Sequence, residues 1–427
     1  MAAAAAPDTI VALSSGPPPA AIAIVRTSGP AAFRAAEALA GRLPTSRQAA
    51  IRRLVDPRDG LLIDEALVLR FDAPNSSTGE NIVEYQCHGG RATVDLLVTA
   101  LLGQPGIRLA EPGEFTRRAL AHGRIDLTEA EGLADLLMAE TELQRRSAMA
   151  RAGGALRKRL DEWRERLLAL SAQAEVAIDY AGEDDGGEPG DLLPAIERLA
   201  DDIADMLDAP RVEPLRDGIR VVVAGPPNVG KSSLVNALAQ SERAIVTHIA
   251  GTTRDVIEVP VAIAGAPFVL VDTAGLRESE DVVEAIGIDR ARSEVDRADI
   301  LLWLGDPDDP PGHPALISVR AKSDLGGSGG GLAVSSITGQ GLGQLTEALL
   351  DHAGRLLPRG DELALDRRQH DLLGDAHSAL LRALRLSDPV LVAEELRTAR
   401  MAVDQISGRA GVEELLDALF GRFCLGK

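Results

Sequence analysis

The sequence predicts a multidomain α/β chain: an α+β segment first, then a helical domain split in sequence by an inserted α/β domain. Three observations predict it. Short strand-like runs alternate with helical text from residue 8 to about 120. Apolar residues then recur every three or four positions from about 125 to 215, and again from about 363 onward. Between those stretches, at residue 216, the text becomes a buried strand, a glycine loop and a helix, and strand–helix alternation runs on to about 352.

Taken in order, "TIVALSS", "AAIAIVRTSG" and "EALVLRFDAP" read as strands separated by turn residues. "TVDLLVTALLG" reads as an amphipathic helix ended by glycine. The long helical text from "LTEAEGLADLL" to "AEVAID" is broken by the acidic, glycine-rich "YAGEDDGGEPGD", after which "LLPAIERLADDIADMLDA" is a further helix. The expected boundaries are 1–122 for the α+β domain, 123–214 for the first helical part, 215–356 for the inserted domain and 357–427 for the second helical part. Both helical parts are amphipathic and neither has another partner, so they should pack together.

Composition narrows the possibilities. At 427 residues the chain is too long for one core. Aromatic residues make up 2%, so Leu, Val, Ile and Ala must fill the interiors. The net charge of −20 excludes a general nucleic-acid binder, and any such contact must be local or shared with a partner. Two cysteines, Cys87 and Cys424, cannot make a disulfide framework, which points to a reducing cytoplasm. No run of about 20 uncharged apolar residues exists, so no membrane span is expected, and "MAAAAAPDTI" lacks the basic start of a secretory leader.

The inserted domain carries the chemistry. "GPPNVGKS", Gly225 to Ser232, matches G-x-x-x-x-G-K-[ST] between a strand and a helix, the context that motif needs. Its glycines let backbone N–H groups turn toward phosphate oxygens, and the helix N-terminus adds positive dipole. Lys231 would reach the β- and γ-phosphates, and the Ser232 hydroxyl would bind Mg²⁺. Asn228, Val229, Gly230 and Ser233 complete the nucleotide-binding segment. "FVLVDTAG" ends a second strand at Asp272, where the acid on the Mg²⁺ side belongs, with Thr273, Ala274 and Gly275 beside the γ-phosphate. "GTTRD" between the two motifs offers Thr252 and Thr253, and a threonine there could complete the Mg²⁺ shell.

"AKSD", residues 321–324, stands where GTPases have N-K-x-D. Lys322 and the guanine-reading Asp324 are in place, but Ala321 replaces the asparagine, removing a bracing hydrogen bond worth about 1 kcal/mol. "SSI", residues 335–337, takes the place of the second base-contacting loop. Between "DILLWL" and "ALISVR" lies "GDPDDPPGHP", whose prolines forbid the crossover helix that parallel strands normally use. No glutamine follows Gly275 before Gln340, so attacking water must be oriented otherwise. Glu284 is the best-placed acid for that task, although an acid in "RESEDVVEAIG" also reads as solvated surface.

Taken together, these motifs make the chain resemble the MnmE (TrmE) family of bacterial tRNA-modifying GTPases nearly end to end. "AIVTHIAGTTRDV" and "DTAGLRE" are shared with other GTPases; "PNSSTGENIVEYQCHGG", "EPGEFTRRALAHGRIDLTEAEGLADLL" and the terminal "FCLGK" are more specific. The resemblance implies an N-terminal folate-binding and dimerising domain, a split helical domain and an inserted P-loop GTPase domain. It implies a homodimer that works with the FAD-dependent protein MnmG on tRNA. The product would be a C5 carboxymethylaminomethyl- or aminomethyl-type group on wobble uridine, built from a tetrahydrofolate one-carbon unit (the 5,10-methylene or 5-formyl derivative).

Carried over residue by residue, folate contacts would be Arg26, Glu84, Arg124 and Lys427, Arg124 standing where the family often has lysine. Arg26 and Glu84 could equally pair across strands. The family's GTPase domains use K⁺ in place of an arginine finger, which here implies Asn228, Thr247, Ile249 and Thr252 as its ligands. Ser232 and Thr253 would hold Mg²⁺, and Glu284 falls on the water-orienting acid. Cys424 could be a reactive thiol or a small packed residue beside Phe423. A competing expectation is a regulatory GTPase switch, of the ribosome-assembly kind, without modification chemistry.

Overall fold

The computed structural model describes residues 8–179, 192–241, 243–244, 257–272, 293–326, 330–358, 362–409, 419–421, 423 and 426. The chain divides into two compact units, residues 1–134 with 407–427, and residues 135–406.

The first unit is built on β1 (Thr9–Leu13), β2 (Ala20–Ser28), β3 (Ala50–Val55), β4 (Leu62–Phe71), β5 (Ile82–Gly89) and β6 (Ile107–Leu109). They form one sheet in the order β3-β4-β5-β2-β1-β6, antiparallel except for the β1–β6 pair. Helices α1 (Ala32–Ala40) and α2 (Arg91–Leu102) cover one face. Strand alternation decides which residues they meet. Ala23 and Val25 of β2, Val83, Tyr85 and Cys87 of β5, and Val68 of β4 point into that core. Alanines 32, 35 and 36 let α1 lie close to the sheet. Residues of opposite parity, Arg26 and Glu84 among them, lie on the other face, where α3 (Glu114–Ala121) contributes Phe115 to a small cluster with Ile10, Ala12 and Ala110. Helix α4 (Leu127–Met138) follows.

The second unit holds α5 (Glu142–Ala152), α6 (Ala155–Asp179), α7 (Leu192–Leu207) and the short α8 (Glu213–Arg216). A seven-stranded sheet comes next in sequence: β7 (Ile219–Ala224), β8 (Arg243–Ala244), β9 (Ile257–Ile263), β10 (Ala266–Asp272), β11 (Ile300–Trp303), β12 (Leu316–Arg320) and β13 (Leu332–Ala333). Its order is β13-β12-β11-β7-β10-β9-β8. Helix α9 (Lys231–Ser241) follows β7, and α10 (Leu342–Leu356), α11 (Arg367–Ala383) and α12 (Pro389–Ile406) close the unit. The two helical stretches share one core: Trp163 and Leu167 of α6, Ile196 of α7, Leu380 of α11 and Leu396 of α12 are fully buried together. Reciprocal capping boxes start α5 (Thr141 with Gln144) and α11 (Asp366 with Gln369).

Strands β11 and β12 are parallel neighbours, yet residues 304–315 between them contain no helix. The prolines there leave a loop pinned at each end. Trp303 Nε1 donates to Asp306 O at 2.8 Å, and Ala315 N donates to His313 Nδ1 at 3.2 Å.

Candidate functional site

In the second unit, β7 runs through the centre of the sheet and ends at Ala224; the glycine loop then turns into α9. Gly225, Asn228 and Gly230 all adopt positive φ, 148°, 61° and 113°. A Cβ at Gly225 would lie 3.0 Å from the Leu304 backbone, so only glycine lets the loop pass β11. Lys231 is 7% exposed, and its ammonium lies across the loop, 3.0 Å from Gly225 O and 2.8 Å from Pro226 O. Val229 packs against the sheet core, whereas Ser232 and Ser233 are exposed on the first turn of α9. Asp272 is buried at the end of β10, next to β7 and level with Val223.

The base-loop residues come to the same place. Lys322, in the left-handed region with φ 57°, donates from Nζ to Asn228 O at 2.7 Å. Ala321 packs on the sheet core, and its Cβ is 3.6 Å from where a Gly230 side chain would begin. Asp324 accepts a 2.6 Å bond from the Oγ of Ser335, which is fully buried. That Oγ also accepts from the amides of Ile337 and Thr338 at 3.3 and 3.1 Å. Ser335 therefore holds the Asp324 carboxylate, a role the sequence alone did not assign to it. Ser335→Ala should weaken GDP binding about fivefold, the equivalent of ~1 kcal/mol, in a calorimetric titration; unchanged affinity would mean that Asp324 needs no brace.

Thr247, Ile249, Thr252, Thr253, Thr273, Ala274, Gly275 and Glu284 lie outside the described residues, as do Cys424 and Lys427.

In the first unit, Arg26 and Glu84 are directly opposed on β2 and β5, and Arg26 Nε donates to Glu84 Oε1 at 2.8 Å. The cross-strand pairing is thus real. Both side chains are only partly buried, and Arg26 also lies 5.6 Å from the centroid of the Phe115 ring. Two residues along β2, the Ser28 hydroxyl lies 2.7 Å from Thr78 Oγ1 and donates to Glu80 Oε2 at 2.7 Å. Gly79 between them has φ 80°, and a Cβ there would strike His122 at 2.8 Å and approach Arg124 Cγ to 3.4 Å. The exposed Arg124 therefore lies against the 78–80 loop.

Behind that loop, Arg118 donates to Glu80, Glu114 and Asp8 at 3.1, 2.9 and 2.6 Å. Burial raises the cost of ionising Glu114, but hydrogen bonds from Arg108, the Glu111 amide and Arg118 outweigh it, so its carboxyl titrates below the usual range. The same balance, with burial opposed by Arg108 and Arg118, lowers Asp8. The loop is held by charge through Glu80 and by close packing of Gly79 against His122.

The tail returns to this unit. Ser14 Oγ donates to Gly426 O at 2.9 Å, and Gly426 (φ 95°) is so close that a Cβ would sit 2.1 Å from Leu13 O. Phe420 and Phe423 are buried with ring centroids 5.9 Å apart, and a Cβ at Gly113 would lie 2.7 Å from Phe420 O. Spacing within the sequence offered no sign of Ser14, because its partner is 412 positions away. Cys87, by contrast, is buried in the core of the sheet, where burial pushes its thiol up and makes it unreactive.

Two family models match the chain, the GTP-binding protein TrmE N-terminus over residues 9–124 and the MnmE helical domain over residues 127–424. A tRNA modification GTPase MnmE of Erythrobacter litoralis is 54% identical over 98% of this chain and 100% of its own length. Its counterparts in Novosphingobium aromaticivorans and Rhizorhabdus wittichii are 49% and 51% identical, over 98% and 99% of this chain and 100% and 98% of theirs. Among solved structures, the G domain of the T. maritima FeoB iron transporter matches at 25% identity with a TM-score of 0.23, covering 32% of this chain and 98% of that one, a likeness too slight to support an argument.

Proposed function

The chain belongs to the MnmE family of tRNA modification GTPases, and from that premise we propose that it hydrolyses GTP to drive modification of wobble uridine at C5. One observation carries the reading: the phosphate loop and the base loop are tied together, Lys231 across the first and Lys322 onto Asn228 O. A nucleotide bound there meets backbone N–H groups and Lys231 at its phosphates and Asp324 at its guanine edge.

Ser232 and Thr253 would hold Mg²⁺ through hard oxygen donors of the kind it prefers, with Asp272 the acid on that side of the site. Mg²⁺ held there would neutralise phosphate charge. The exposed Asn228 side chain fits a K⁺ site shared with Thr247, Ile249 and Thr252, where the cation supplies the charge of an arginine finger. Glu284 would then hold the attacking water, since no glutamine follows Gly275 in the sequence before Gln340.

On the first unit's sheet, Arg26, Glu84 and Arg124, with Lys427 of the tail, suit a folate whose pteridine needs a carboxylate partner and whose glutamate needs cations. The Phe115 ring beside Arg26 offers a stacking surface. A folate bound there supplies the one-carbon unit, and MnmG supplies the flavin. Two copies of this chain would form the working dimer.

Two readouts on one strain and its purified protein test this. The tRNA of cells lacking the chain should lose the C5-modified wobble nucleoside, and GTP turnover should be severalfold faster in K⁺ than in Na⁺ at matched ionic strength. Unaltered tRNA with intact turnover would favour the regulatory switch; equal rates in the two salts would remove the cation mechanism.

A further inference from the structure

We infer that the arm from α1 to β3, residues 31–55, is a docking surface for the phosphate backbone of tRNA. The inference rests on the tRNA reading above and adds where the tRNA sits on this chain. The chain is strongly acidic, at −20, yet this arm has five arginines and one glutamate, Glu37. Arg42, Arg47 and Arg52 are the centre of it. Arg52 Nε donates to Arg42 O at 2.8 Å, which ties those two together, and Arg47 N donates to Arg70 O at 2.8 Å near the end of β4, the strand that pairs with β3.

The guanidinium groups of Arg34, Arg47 and Arg52 bond to carbonyls rather than carboxylates, while Arg53 pairs with Glu65 at 3.6 Å and Arg70, beside the arm, with Asp72 at 2.7 Å. Arg47 donates to Asn75 O at 2.6 Å and Arg34 to Pro105 O at 2.9 Å. Among the described residues, no carboxylate lies within ion-pair distance of Arg34, Arg42, Arg47 or Arg52, whereas Arg58, Arg108, Arg118, Arg382 and Arg397 all have one. A carbonyl partner fixes the orientation of a guanidinium without neutralising it, and leaves further N–H donors for an anion.

Two of the chain's six phenylalanines reinforce the geometry. Arg70 lies 4.3 Å from the centroid of Phe33, and Arg47 lies 5.9 Å from that of Phe71. Charged residues also protect an edge strand from unwanted pairing, and β3 is an edge. That role accounts for Arg52 and Arg53 but not for Arg34, Arg42 and Arg47, which lie outside the strand. Unpaired, pre-oriented arginines suit phosphates, whose contribution depends on salt and not on sequence.

The test uses the full chain, a fluorescent tRNA transcript with a wobble uridine, and anisotropy between 50 and 200 mM salt. The triple variant Arg42→Glu, Arg47→Glu, Arg52→Glu should bind tRNA at least tenfold more weakly. Its log–log salt slope should be shallower by about 2, at roughly 0.7–0.9 for each phosphate no longer neutralised. Its GTP turnover should stay within twofold of the parent. The matching triple lysine variant should keep the slope. Equal affinity and slope in the glutamate variant would overturn the inference, as would weaker binding accompanied by loss of the dimer, which would assign the patch to a second copy. If the parent chain itself binds no tRNA, the functional reading fails along with the patch; if the parent binds and the variant binds equally, the patch alone fails.

Discussion

Lys231→Ala is expected to lose GTP binding and turnover by two orders of magnitude or more. Lys231 is 7% exposed and its ammonium is held over the loop by Gly225 O and Pro226 O, so it is already where phosphate oxygens would approach. A hydrogen bond to a charged group contributes about 1.5–3 kcal/mol, and two such bonds to the phosphates correspond to roughly a hundredfold to ten-thousandfold. Alanine is a good helix former at the first position of α9, so melting should change little. Titration with a non-hydrolysable GTP analogue and single-turnover hydrolysis measure the effect. Near-parental affinity would mean that the phosphates lie elsewhere.

Gly426→Ala should separate the two activities. The added methyl would lie 2.1 Å from Leu13 O at a backbone φ of 95°, so the tail must leave its seat. The Ser14 hydrogen bond, worth about 1 kcal/mol, goes with it. GTP turnover should remain near the parental rate, because the phosphate loop belongs to the other unit. tRNA modification should fall at least tenfold, and limited proteolysis should cut the tail faster. Unchanged proteolysis together with full modification would show that the tail's place on β1 has no part in the chemistry.

What could be read in advance was local. The glycine loop needs its glycines and lysine within eight positions, and the proline-rich crossover shows its lack of a helix in ten, so spacing alone was enough for both. The strand β2 and the helix α2 were legible from their periods. Helix α1 was not read, although Arg34 and Glu37 stand on its exposed face opposite the buried alanines; it is short, and its place against the sheet is set by small side chains packing closely. Strand β3 was hidden because its arginines interrupt the alternation. Ser335 as the partner of Asp324, and Ser14 as the partner of Gly426, depend on contacts across 11 and 412 positions that no pattern records. Arg26 and Glu84 were legible as a pair, but the Phe115 ring beside Arg26 comes from a separate helix.

The seat of the tail also orders events during synthesis. The sheet that begins at Thr9 leaves the ribosome first, but Phe420, Phe423 and Gly426, which close it against Gly113 and Leu13, come only after Asp135–Ile406 have been translated. At about 5–20 residues per second, that interval lasts about ten seconds to one minute. Throughout it, the surface around Gly113 and Leu13 stays uncovered on the nascent chain. A product that stops short of Phe420 would leave it so permanently.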